Sequence, residues 1–176
     1  MRVGTSVHHA RIDVLFSSFD LTNRDKYERF LTIQVSAYLP IESALDRSGA
    51  AAVVPDWPNR RRSHLLAADL AALGLSVPET AEAAAFDGVA AILGGIYVLE
   101  GSRLGGALLK RSVSPDLPAA FLAATNPGGW RSFVSLLDRT LLTPEQIAVA
   151  TAAATRVFRL FEDAAKLHCQ TKCTDR

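Results

Sequence analysis

Cysteine is nearly missing from this sequence: its two copies, Cys169 and Cys173, both fall within the last eight of 176 residues. A domain stapled by disulfides would not keep both thiols in a tail, so a reducing compartment is expected. Neither charge sign dominates, with 19 Lys+Arg against 18 Asp+Glu and a net charge of +1. That balance offers no general pull toward nucleic acid or an anionic membrane. Long apolar runs are lacking too. The longest, Val89 to Leu99, is too short to cross a bilayer and ends at Glu100. The first residues carry no apolar stretch of the signal-peptide kind, which makes the cytoplasm the expected location. Several motifs are missing as well: His-Glu-x-x-His, the Glu-x-x-His pairs of di-iron bundles, a phosphate loop and a dinucleotide fingerprint. His168 with Cys169 and Cys173 is the one short stretch of soft metal ligands, at a terminus where fraying is common.

What is present is a globular composition, 49% hydrophobic, with helical spacing almost throughout. Thr5 to Phe16 reads as a first helix. Thr22, three before Asp25, looks like the cap of a second that runs to Arg47, with Tyr27, Phe30, Leu31, Val35, Tyr38 and Leu45 on one stripe. Asp56-Trp57-Pro58 opens a third, expected to continue to Leu73 before Gly74. A fourth is expected from Pro78 and Thr80 to Arg111, then a short helix after Pro118 and another from Trp130 to Leu141. Thr143-Pro144-Glu145-Gln146 is a capping box that starts the last helix, ending near Leu167. Sustained strand alternation is absent. The predicted class is all-α, a single domain over residues 1–167, with a tail over 168–176 expected to be disordered.

One helix carries too many glycines. Between Leu93 and Lys110 the apolar spacing is helical, yet Gly94, Gly95, Gly101, Gly105 and Gly106 all lie in it. Relative to alanine they cost together on the order of 4–5 kcal/mol of helix propensity. Positions 94, 98, 101 and 105 share a face, with 95, 102 and 106 beside it, so the helix presents a surface almost bare of side chains. Such a surface serves either close packing of a second helix or approach of a ligand to the backbone. The paired glycines at the C-terminal end leave more area than a partner helix needs and permit a kink. A flat molecule such as a porphyrin would suit it.

The stretch Tyr97-Val98-Leu99-Glu100-Gly101-Ser102-Arg103-Leu104-Gly105-Gly106 resembles the distal helix of the heme oxygenase family, whose pattern is Gly-Asp-x-x-Gly-Gly, and in particular its bacterial, bacteriophytochrome-associated branch. Thr5-Ser6-Val7-His8-His9 resembles the family's proximal Thr-x-x-x-His, which marks His9 as the iron ligand, with His8 as the alternative. The resemblance extends over residues 2–165. It implies a multi-helix bundle holding heme b between an N-terminal proximal helix and a kinked glycine-rich distal helix. It also implies O₂- and electron-dependent opening of heme to biliverdin, with release of Fe²⁺ and CO.

Around that heme the resemblance assigns Gly101, Ser102, Arg103, Gly105 and Gly106 to the reactive side. His9, Thr5, Arg2 and Asp13 are assigned to binding. Asp13, one turn from His9, could orient its ring. Arg2 and Thr5 match positions near the propionates, which a cation and a hydroxyl would suit. Ser102 stands where the family has an aspartate that organises water for proton delivery. Serine cannot carry that charge, so either another water network serves, with Arg103 in it, or turnover is impaired. A protein that stores, senses or transfers heme without degrading it is therefore the alternative function. Without a flavin or nicotinamide fingerprint, electrons would come from an external ferredoxin or reductase. The run Arg60-Arg61-Arg62 reads as a mostly solvated face, part of which could dock an acidic redox partner. A bacteriophytochrome is the expected recipient of biliverdin.

Overall fold

The computed structural model describes the backbone of residues 2–170 and the side chains of 4–168. The side chains of Arg2 and Cys169, and Cys173 with the rest of the tail beyond 170, therefore lie outside the described residues. Nine α-helices and a short 3₁₀ turn make up the described residues, with no strand among them. They are α1 (Arg2–Ser17), α2 (Arg24–Arg47), α3 (Ala50–Val53), α4 (Trp57–Arg60), α5 (Ser63–Ala72), α6 (Gly88–Leu109), α7 (Ala120–Ala123), α8 (Gly129–Thr140) and α9 (Pro144–Gln170).

The predicted stripe of α2 is buried in full, and Leu45, Tyr38 and Phe30 belong to the same core as Phe158 and Phe161 of α9. Its cap is Asn23 rather than Thr22: the Asn23 side chain accepts from the Lys26 amide at 3.1 Å, while Thr22 bonds Asp20. At the start of α9 the capping box closes in both directions. The Gln146 amide donates to Thr143 Oγ1 at 3.3 Å and the Thr143 amide to Gln146 Oε1 at 3.1 Å. That helix runs past Leu167. The His168 carbonyl accepts from Arg29 at 2.7 Å, and its ring Nε2 lies 3.0 Å from Ser36 Oγ, so α2 holds the end of α9.

Two expected helices are broken. The stretch from Trp57 to Leu73 is divided at Arg61, whose backbone is extended with φ −64° and ψ 142°. In a continuous helix Arg60 and Arg62 would point about 200° apart. Extended chain instead sends alternate residues to the same side, and both arginines are buried. The fourth helix starts at Gly88, ten residues later than the Pro78 signal suggests. The alanine-rich stretch before it has its backbone bonded from outside: Arg47 donates to the Ala83 carbonyl, Arg156 to that of Ala85, and Ser48 Oγ accepts from the Phe86 amide. Phe86 is buried beneath the Arg156 guanidinium, 4.7 Å from its ring. Tertiary bonds outweigh alanine's helix propensity there.

With the 3₁₀ turn that follows it, α6 spans 25 residues and is long and apolar enough for a membrane crossing by length alone, but 56% of its apolar window is buried in the fold. Residues Ala91 to Glu100 are all buried. Two buried carboxylates position the elements around it. Glu42 of α2 accepts from the amides of Arg62 and Ser63 at 2.7 and 3.0 Å, capping α5. Asp69 of α5 accepts from those of Ala120 and Phe121, both at 2.9 Å, capping α7.

Candidate functional site

The helices enclose a cavity of about 500 Å³ between α1 and the C-terminal half of α6, completed by α2, α7 and α9. His9, Ile12, Asp13 and Phe16 line it from α1, and Gly101, Ser102, Gly105 and Gly106 from α6. Phe30, Phe121, Phe158 and Phe161 supply aromatic walls from three other helices. The size and the largely apolar lining are those of a site for an organic ligand. A larger depression, about 860 Å³, runs along α9 from Pro144 to Arg159. It is an open trough on one helix face without histidine, so the enclosed cavity is the better site.

The two adjacent histidines have different roles. His8 leans on α9, with Nδ1 3.3 Å from Glu162 and its ring stacked on Phe158 at 6.1 Å. His9 lines the cavity, its Nε2 buried and its ring edge-on to Phe158 at 4.6 Å and to Tyr97 at 6.2 Å. Asp13 also lines the cavity and is exposed. Thr5 is fully buried and does not line it.

The glycines separate into two groups. A Cβ at Gly94 would collide with the Ala150 carbonyl of α9, and one at Gly95 would lie 2.6 Å from Phe86. These two serve packing and are not part of the bare face. At Gly105 a Cβ would meet nothing within 4 Å, and at Gly101 only Trp130, at 3.8 Å. Gly106 has Leu122 at 3.5 Å. The ligand-sized open surface is therefore confined to the last three turns of α6.

The arginine run is not a solvated face. Arg60 is 4% and Arg62 2% exposed, and only Arg61 reaches the surface, where it pairs with Asp46 at 3.1 Å. Arg60 forms a buried ion pair with Glu100 at 2.7 Å and also bonds Asp56. Arg103 joins them, 3.0 Å from Glu100 and donating to the Arg60 carbonyl, so it faces this cluster and does not line the cavity. Docking of a redox partner on this run is thereby excluded for Arg60 and Arg62.

Arg62 instead completes a polar cluster behind Ser102. Its Nη2 lies within hydrogen-bond reach of the Leu99 carbonyl at 2.8 Å, of Ser102 Oγ at 2.6 Å and of the Tyr38 hydroxyl, three acceptors for its two hydrogens. The Tyr38 hydroxyl lies 2.5 Å from Ser102 Oγ, and Ser102 donates to the Leu99 carbonyl at 2.7 Å. Burial raises the Tyr38 phenol above its ordinary value, with Arg62 opposing. Burial lowers the Arg62 guanidinium, with Tyr38 opposing. Sequence reasoning placed Tyr38 only on an apolar stripe and Arg62 only in solvent. No local signal joins residues 24 and 40 positions apart.

Comparison with known proteins agrees with this geometry. The heme oxygenase family model matches residues 1–166. This chain belongs to the heme oxygenase family. It is 33% identical over 170 residues to the heme oxygenase PigA of Pseudomonas aeruginosa, covering 90% of this chain and 86% of that one. A heme oxygenase of Xanthomonas campestris is 37% identical over 118 residues, 60% of this chain and 67% of its own. The fold matches the NO- and CO-bound heme oxygenase structure from Neisseria meningitidis with a TM-score of 0.81. The match covers 95% of this chain and 88% of that one at 22% identity.

Proposed function

We propose that the cavity binds heme with His9 as the iron ligand, and that the chain opens it to biliverdin with release of Fe²⁺ and CO. The observation that carries this reading is the pairing of one cavity-lining imidazole with a helix wall where Gly105 leaves open space. A single histidine leaves the other heme face available to O₂. The backbone of Gly101 and Gly105 lets a flat ring approach closely, which limits where the reacting oxygen can attack. Phe158 fixes the His9 ring by edge contact, and Asp13 is placed on the same wall to influence its second nitrogen. Electrons come from a separate ferredoxin or reductase, and we place the reaction in the cytoplasm, where such donors are found. The wording of the α6 motif favours a bacteriophytochrome as the acceptor of biliverdin.

Hemin titration tests the binding. A sharp Soret band at one equivalent is expected; His9→Ala should lose the histidine-ligated spectrum while His8→Ala keeps it. The reverse pattern would mean that the α1 register is misassigned. Ser102 favours a second reading, heme binding without degradation, because its hydroxyl is already engaged by Arg62, Tyr38 and Leu99. Ascorbate, or ferredoxin with its reductase, added in air to the heme complex separates the two. A biliverdin spectrum supports turnover, and unchanged heme supports storage or transfer.

A further inference from the structure

The cluster behind Ser102 holds a buried guanidinium with which no carboxylate pairs directly. Among the described residues Arg62 makes no ion pair, although it is 2% exposed. The nearest carboxylates are engaged elsewhere: Glu42 on the amides of Arg62 and Ser63, and Glu100 on Arg60 and Arg103. The groups touching the guanidinium are neutral, namely a phenol, a serine hydroxyl, a backbone carbonyl and the rings of Phe121 at 4.7 Å and Tyr38 at 5.1 Å, while Glu42, Glu100 and Arg103 act on it without direct contact. Aromatic faces and hydroxyls compensate a buried cation only in part.

The hydrogen-bond count points the same way. The Leu99 carbonyl is approached by Arg62 Nη2 at 2.8 Å, the Ser102 hydroxyl at 2.7 Å and the Tyr38 hydroxyl at 3.2 Å. Within α6 it also serves the helix ladder. A carbonyl has two lone pairs, so the donors gathered on this one carbonyl exceed what it can accept. Ser102 is the member of the cluster that lines the cavity, and its hydroxyl hydrogen, which shares the crowded Leu99 carbonyl, is the one that can turn inward.

We propose that Arg62 and Ser102 form a cationic, donor-rich subsite at the α6 wall of the cavity, which selects a small monoanion beside the heme. This rests on the heme-binding reading above. Arg62 supplies the field from behind, which sets the selectivity, and Ser102 adds only a weak contact at the wall. An aspartate at position 102 would neutralise Arg62 and present an acceptor, reversing the polarity of that wall.

The test is azide titration of the ferric heme-loaded protein, read from the Soret shift, with imidazole as the neutral ligand for comparison. Ser102→Asp should weaken azide at least tenfold and leave imidazole within about threefold. Ser102→Ala keeps the guanidinium and should stay within about threefold of wild type for azide. Equal azide affinity in wild type and Ser102→Asp would overturn the proposal. So would a Ser102→Ala loss as large as that of Ser102→Asp, since the charge would then be irrelevant. Parallel loss of azide and imidazole in Ser102→Asp would also overturn it, because a disturbed heme seat would explain both. A wild-type protein with no Soret band on adding hemin would instead reject the heme reading itself.

Discussion

The two halves of α6 use the same residue for opposite purposes. From Ala91 to Glu100 every residue is buried, and Gly94 and Gly95 are small because α9 and Phe86 occupy the space where a side chain would be. From Gly101 onward the glycines border a cavity, and Leu104 and Leu108 are exposed at 55% and 63%. One half is a packing surface and the other a binding surface, within one unbroken helix. A glycine therefore means something only together with what faces it: a backbone carbonyl at Gly94, open volume at Gly105.

Substitutions break that comparison most directly at Gly94. Gly94→Leu forces α6 away from the Ala150 carbonyl and should cost about 3 kcal/mol or more, at the upper end of overpacking effects. A thermal melt of the apo-protein should show a large loss or no folded protein. Gly105→Leu should act in the other direction. Its apo melt should stay within about 1 kcal/mol of wild type, since leaving glycine favours the helix. Hemin affinity should fall at least tenfold, about 1.4 kcal/mol. An apo-protein that melts far lower, yet shows normal heme spectra while folded, would remove α6 from the binding site. At Gly101 the step to alanine is milder, because a Cβ there makes ordinary contact with Trp130. Gly101→Ala should raise apo stability by up to about 1 kcal/mol, and differential scanning calorimetry can resolve it.

The smallest effect lies at the far end of α9. Burial, reinforced by Arg29, lowers His168 below its ordinary 6.5. A histidine that is harder to protonate when folded favours the folded state above its unfolded value, and that contribution is lost as pH falls through the lowered one. Stability should thus decline modestly on acidification from just above 6.5, and His168→Gln should flatten that part of the profile. An unchanged profile in the variant would show that His168 is not the group involved.

The sequence made the helical class legible because 3.6-residue spacing and caps are local properties. The Thr143–Gln146 box and the α2 stripe needed nothing beyond their own segments. His9 and Gly105 could be located because a motif fixes their spacing. The Arg60–Arg62 run could not be read locally: a charged tripeptide looks solvated until Glu100 and Tyr38 approach from other helices. The stretch before Gly88 misleads for the same reason, since its alanines favour helix while distant arginines bind its carbonyls in a non-helical form. Gly94 and Gly105 are indistinguishable as letters, because the difference between them is the distance to a neighbour.

The buried carboxylates Glu42 and Asp69 link three helices in series. A helix of four residues such as α7 cannot nucleate alone in water, and its first amides are satisfied only by Asp69 of α5. The first amides of α5 are in turn bonded by Glu42 of α2. Glu42 and Asp69 therefore tie α2 to α5 and α5 to α7, and the last tie holds Phe121 at the cavity. The aromatic wall against which a ligand would lie thus hangs on two carboxylates that do not themselves line the cavity.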